Sequence, residues 1–450
     1  MPSESEHAYV WVWLPGTTTP VVAGLLEPAS ELISFTYGRS YLDRSDAVPL
    51  YLPELPLEPG RQRPRAGLRV AGVINDAGPD SWGQRVVMKR LLGHARREDD
   101  LGEFSLFNFL LQSSSDRTGA LDFQESPDVY VAREPGSTLA EMLTAADRLE
   151  AGEPLSPELD AALLGGSSLG GARPKATLDD DGRKLIAKFS SLTDTYPVVK
   201  AEGLALELAR RVGLVVPDSE VTKCHGRDVL IVERFDRTPT PGERRMLVSA
   251  LTILELHELV GRYATYYDLA DVIRERFVEP KQTLRELFSR IAFNICTGNT
   301  DDHARNHAAF WDASSDALEL TPAYDITPQM RSGGEAAQAM AIGRDGYRMS
   351  RLAGCVDHCE IYLLSRAEAV EIIENQVEIV RCHFAEAADT VRLSRAEREM
   401  LWERAILNPY SLEGFPPPSV QTLKSGSALT LPGDQLNRGS IGALFDEYKG

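Results

Sequence analysis

The chain has 450 residues, 43% of them hydrophobic and 26% charged, and a formal net charge of −19. A chain of this size buries a sizeable core in two or three subdomains, and its composition is that of a globular protein rather than a disordered or fibrous one. Its acidity disfavours direct binding to a phosphate backbone, and no run of eighteen apolar residues is present to serve as a membrane span. Basic pieces such as GRQRPRAGLR (60–69) read as solvated loops, so a DNA role would pass through a basic partner. The start, MPSESEHAYVWVWLPG, lacks the basic head and long apolar stretch of a signal peptide. Five cysteines, at 224, 296, 355, 359 and 382, are odd in number and scattered, which fits reduced thiols in the cytoplasm.

In chain order, residues 8–24 alternate around a Pro-Gly turn and predict a β-hairpin, followed by a strand at SFTYG (34–38). The Pro-rich stretch 51–69 reads as an extended loop. Helices are expected from Pro79 through QRVVMKRLL and over 104–112. These elements suggest an α+β subdomain over 1–125. LDF (121–123) and YVAR (130–133) read as short strands and GSTLAEMLTAADRLEAG as a helix. KLIAKF (184–189) closes a hairpin after the Asp-Asp-Asp-Gly turn. An amphipathic helix over 198–214 ends at Gly213, and DVLIVERFDR (228–237) is a buried strand running into a turn. From 247 to 405 nearly everything reads as helical, apart from strand pieces at 307–311 and 317–326. Residues 406–450 form an appendage. A strand-rich lobe (126–237), one helix and a larger helical lobe (238–405) predict an α+β, protein-kinase-like two-lobed fold with a mainly helical C-terminal lobe.

The chemistry sits at TDDHARN (300–306) and YDI (324–326). Asp301 precedes Asn306 by five positions, the interval of a protein-kinase catalytic loop, and Asp325 adds a carboxylate downstream. Phosphoryl transfer needs one aspartate for the attacking hydroxyl, and an amide oxygen plus a second carboxylate for magnesium. Asp302 and His303 are assigned to supporting the loop. A metal-hydrolase reading lacks an HExxH pattern. Gly165 to Ala172 could let backbone approach a polyphosphate, although Gly/Ser runs also occur as plain loops. Lys188, in an otherwise apolar strand, faces either solvent at a sheet edge or the ATP phosphates, paired there with Glu202 or Glu207 of the next helix. Glu233 and Phe235, with Val232, lie where a linker between lobes would meet adenine, or simply end a strand. Cys355, His358 and Cys359 share a helix face, with Cys382 and His383 further on; their spacing matches no closed zinc site, and buried helix-face cysteines are the plainer reading.

The strings SSLGGARPKA (167–176), LIAKFSS, VERFDR (232–237), FNICTGNTDDHARNH (293–307) and LTPAYDI (320–326) together resemble the HipA family of bacterial serine/threonine kinase toxins. SFTYG, LPLEPG (55–60), DAGPDSWGQ (76–84) and RTGALDF (117–123) resemble that family's N-terminal subdomain, so the resemblance spans about residues 8–400. It implies Asp301 as catalytic base, Asn306 and Asp325 as magnesium ligands, and Lys188 on the ATP phosphates. It also implies a phosphate loop over 168–175 that includes Gly170, Gly171, Ala172 and Lys175. Ser168 matches the autophosphorylated serine, with Ser167 beside it as the other acceptor. A HipB-like helix-turn-helix antitoxin and a substrate such as an aminoacyl-tRNA synthetase are the implied partners. Arg173-Pro174-Lys175 departs from the Gln-Glu-Lys run of some members. A small-molecule kinase and an inactive kinase fold acting as corepressor remain as rival readings.

Overall fold

The computed structural model describes residues 7–92, 105–134, 136–168, 173–191, 193–331 and 333–415. β1 (Ala8–Val12) and β2 (Val21–Ala29) form the expected antiparallel hairpin, with Gly16 at φ +75° in the turn between them. β3 (Leu32–Tyr37) extends the sheet from β2, and the two-residue β4 (Arg61–Gln62) is the one strand inside the Pro-rich stretch. β5 (Leu121–Gln124) adds to the free edge of β1, giving the order β4-β3-β2-β1-β5.

The second sheet has the order β6-β7-β9-β8, from β6 (Lys175–Asp180), β7 (Arg183–Phe189), β8 (Ser219–Cys224) and β9 (Arg227–Glu233). β7 therefore lies between two strands, not at an edge. Strand side chains alternate between faces. Leu185, Ala187 and Phe189 bury one face against the Leu139–Ala151 helix. Lys188 lies opposite Leu230 on the other face, which packs on the Val198–Arg211 helix. A lysine there cannot snorkel to water around an edge and needs a carboxylate partner.

A third sheet, β10-β11-β12, follows the linker: β10 (Leu247–Ser249), β11 (Ala308–Asp312) and β12 (Ala317–Leu320). The long helices Pro280–Thr297 and Arg366–Thr390 form the helical part. One buried apolar cluster runs unbroken from β1 through the Val198–Arg211 helix to both of these and on to Leu407.

Several expectations from sequence are corrected. Tyr130–Arg133 has no ladder: Val129 and Val131 point to solvent, and Tyr130 packs on Trp11 and Trp13. Among the described residues of 321–351 there is no helix, which accords with the breakers Pro322, Pro328, Gly333, Gly334, Gly343 and Gly346. The helix Pro157–Leu164, capped by Ser156 and led by Pro157, was not anticipated, and the 198–214 helix stops at Arg211 with Gly213 at φ +88° just beyond. The expected appendage over 406–450 begins too early, since Ile406 and Leu407 join the main buried cluster and Pro409–Leu412 forms a short helix, while residues 416–450 lie outside the described residues.

Candidate active site

The Pro280–Thr297 helix ends on Gly298 in the left-handed conformation (φ +71°), which turns the chain into the Asp301–Asn306 loop. A side chain at 298 would meet the Ala405 carbonyl at 2.5 Å, so glycine is required both by conformation and by space. Asp302, next in line after Asp301, is buried. Its Oδ2 accepts hydrogen bonds from Tyr266 (2.5 Å), Asn294 (2.8 Å) and His307 (2.9 Å). Burial would raise this carboxyl, yet His307 and these donors hold it below the ordinary carboxylate range. Three elements thus fix the loop through Asp302, in keeping with the supporting role expected for it.

Asp301 itself faces outward. Partial burial of its carboxyl raises its pKa, with His303 opposing and the nearby charge of Asp325 adding to the rise. The Asn306 amide nitrogen donates to the Asp301 carbonyl (3.3 Å), leaving the amide oxygen as the atom available to a cation. Tyr324 donates to the Arg305 carbonyl (2.6 Å) and ties the loop to the next residue of interest. That residue, Asp325, has φ +59°, a costly conformation for a non-glycine residue and one that concentrates at functional sites.

Lys188 joins the two halves of the site. Its Nζ lies 2.5 Å from Glu202 Oε1 and 2.7 Å from Asp325 Oδ1. Glu202 is thus its helix partner, while Glu207 pairs with Arg210 and Arg211 instead. One cation serves two carboxylates, and their environments divide them. Lys188 holds Asp325 down to about 2, while burial pushes Glu202 above its ordinary value despite Lys188. Lys188 therefore favours the ionised form of Asp325. Burial would lower Lys188, but Asp325 and Glu202 together raise it.

Lys175 sits near this cluster but bonds elsewhere, with its Nζ 3.4 Å from Asp80 Oδ2. Burial pushes Lys175 down and Asp80 up. Asp80 also caps the Ser81–Leu92 helix by accepting from the Trp82 and Gly83 amides. Asp80 lies inside DAGPDSWGQ, and an aspartate just before Ser-Trp-Gly at a helix start is the local signal of this cap. Ser167 and Ser168 are both buried: Ser167 Oγ donates to the Leu164 carbonyl and accepts from the Ser114 amide, and Ser168 Oγ donates to the Asp116 carbonyl (3.0 Å). Gly170, Gly171 and Ala172 lie outside the described residues.

At the linker, the Glu233 amide donates to the Asp218 carbonyl, and burial raises the Glu233 carboxyl. The Phe235 ring packs between Phe310 and Tyr324, which links it to the Asp325 segment. Cys355 and Cys359 are buried, His358 packs on Tyr347, and His383 contacts Arg211 and Glu386. Among the described residues no group of three or more His, Cys, Asp or Glu side chains is placed to hold a metal. Magnesium does not need such a cage, because it takes one or two protein ligands and fills its shell with phosphate and water. An ionised Asp325 and the Asn306 amide oxygen fit that requirement.

Family models place the chain. The HipA-like C-terminal domain matches residues 167–408 and the HipA N-terminal domain matches 11–124. The serine/threonine-protein kinase toxin HipA of Shewanella oneidensis is 27% identical over 202 residues, 39% of this chain and 46% of that protein. The match therefore spans about half the relative's length. The solved complex of HipA, HipB and operator DNA from Shewanella oneidensis MR-1 contains a chain that superposes with a TM-score of 0.63 at 19% identity. That superposition covers 88% of this chain and 96% of the other, and establishes the fold. With more than half its length inside the C-terminal family model and most of the remainder inside the N-terminal one, the chain belongs to the HipA family of kinase-like proteins.

Proposed function

We propose that the chain is an ATP- and magnesium-dependent serine/threonine protein kinase. The observation that carries this reading is the Lys188 ammonium bridging Glu202 and Asp325, with the Asp325 segment tied to the Asp301–Asn306 loop by the Tyr324–Arg305 hydrogen bond. Lys188 orients the nucleotide phosphates, Glu202 holds Lys188, and Asp301 takes the proton of the attacking hydroxyl. Bound magnesium, on Asp325 and Asn306, would neutralise charge on the phosphates. Val232 and Phe235 at the linker offer apolar cover for the adenine.

Ser168 is the proposed autophosphorylation site. Its hydroxyl is buried against Asp116, so this stretch of chain must leave its seat before the serine can receive phosphate. A phosphorylated serine carries about −1.5 to −2 charge and could not return to that seat, which makes the modification a lasting off switch. A HipB-like antitoxin is the proposed partner, supported by the fold shared with the HipA chain of the HipA–HipB–operator complex. DNA is reached through that partner, in keeping with the net charge of −19. The proposed target is a protein of translation, such as an aminoacyl-tRNA synthetase.

Mass spectrometry after incubation with ATP and magnesium tests the reading. The expected result is one added phosphate at Ser168 in the wild-type chain and a loss of about 10²–10⁴-fold in rate for Asp301→Asn. Because its environment raises the Asp301 pKa, the rate should fall on the acid side at a higher pH than an ordinary aspartate would give. Equal, negligible incorporation in both proteins would sink the proposal.

A further inference from the structure

Residues 114–119 belong to the stretch matched by the N-terminal family model, yet they touch two parts of the candidate site at once. On one side, the Ser114 amide donates to Ser167 Oγ (2.9 Å), and the Asp116 carbonyl accepts from Ser168 Oγ (3.0 Å). On the other, the same Asp116 carbonyl accepts from Arg234 Nη1 (3.1 Å), and the Arg117 carbonyl from Arg234 and Arg237 (2.6 and 2.7 Å). The Gly119 amide donates to Asp236 Oδ2 (2.8 Å). Arg234, Asp236 and Arg237 follow directly on β9, in the linker beside Glu233 and Phe235.

These groups are buried ions that compensate one another. The side chains of Arg234, Asp116 and Asp236 are 1%, 4% and 6% exposed. Burial alone would raise both carboxyls, but Arg234 and Arg237 hold them well below the ordinary range. Such a network has few geometries that leave no charge unpaired, so it moves as a unit or not at all. The Asp116 carbonyl is shared by Ser168 and Arg234, so displacing one partner changes the bond to the other.

We propose that Ser114–Gly119 is a positioning bridge between the serine stem of the phosphate loop and the linker between the lobes, so that the stem cannot lift without loosening the linker. The kinase consequences rest on the function proposed above; the mechanical coupling does not. In this arrangement the N-terminal domain is part of the nucleotide machinery, and Asp116, Arg234 and Asp236 act through the groups they hold rather than on substrate.

Hydrogen exchange on the full chain tests this from both ends. In Ser167→Ala the Ser114 amide loses its acceptor and exchanges faster under any reading. The bridge adds about three- to tenfold faster exchange at the Gly119 and Arg234 amides, whose own acceptors are untouched. Asp236→Asn should in turn speed exchange at the Ser114 amide and at 165–168. If each variant affects just the amide whose acceptor it removes, the bridge is overturned. Should Asp236→Asn not fold, the Gly119 and Arg234 amides in Ser167→Ala decide alone. Kinetics give a second readout: Ser167→Ala should raise KM for ATP at least threefold with kcat within twofold, whereas a serine serving only stability would lower active protein and leave KM unchanged. Coupled exchange in a protein that incorporates no phosphate would keep the bridge and remove the kinase reading. Phosphate incorporation with uncoupled exchange would do the reverse.

Discussion

Replacing Lys188 by methionine keeps the length of the side chain and removes the cation between Glu202 and Asp325. The Glu202 side chain is 6% exposed, and leaving a buried charge without its partner costs about 3–5 kcal/mol. Asp325 is 40% exposed, so its arm is discounted to about 0.2–1 kcal/mol by solvent screening. Glu202 can escape part of its penalty by taking up a proton, which places the expected loss near 3 kcal/mol at pH 8. The sign with pH follows from its raised pKa in the folded protein. Stability from a raised carboxyl is fully present below its unfolded value of about 4.3 and is lost as pH rises through the folded value. Removing Lys188 raises Glu202 further, so the deficit should be largest at pH 8 and shrink toward pH 5. Urea unfolding followed by tryptophan fluorescence at the two pH values measures it. Adding Glu202→Gln to the Lys188→Met chain should recover about 2 kcal/mol, because a neutral amide needs no cation. A loss under about 1 kcal/mol that is the same at both pH values, with no recovery in the double variant, would mean that the ion cluster does not exist in solution.

Asp325→Ala should weaken nucleotide binding about 10–100-fold in the presence of magnesium, the range of a lost charge-assisted contact, and much less without it; calorimetry with and without the cation decides. An affinity independent of magnesium in both proteins would remove Asp325 from the metal site. Gly83→Ala places a methyl group 1.8 Å from the Ser167 carbonyl oxygen and 2.8 Å from Pro79, where backbone must yield. It should cost about 1–3 kcal/mol in thermal unfolding and lower ATP affinity as well, while wild-type behaviour in both would show that the Ser81–Leu92 helix does not seat the serine stem.

The site's chemistry was legible where it is written locally. Asp301 and Asn306 share one loop, Lys188 and Glu202 lie on consecutive elements, and the hairpins announce themselves by alternation. What stayed hidden is non-local. The Lys175–Asp80 contact joins residues 95 positions apart, and Asp76 receives the Ser249 amide and hydroxyl across 173. Aspartates and arginines such as Asp116, Arg234 and Asp236 read as surface residues until their partners are known, since burial of a charge depends on what meets it. Taken alone, Lys188 fits a surface residue of an edge strand better than a buried one, because a strand carries no record of its neighbours. The left-handed Asp325 was invisible for the same reason: tertiary contacts impose it against the local preference. The misread 321–351 stretch is different in kind. Its prolines and glycines were in plain view and argue against the helix expected beyond residue 326.

The unbroken apolar cluster from β1 to Leu407 bears on how this protein can be taken apart. Cutting the gene near codon 125 would strip greasy surface bare on both pieces, and neither could cover it alone. Expression of an isolated catalytic half should give aggregates, whereas co-expression of the two fragments should let them find each other and regain solubility.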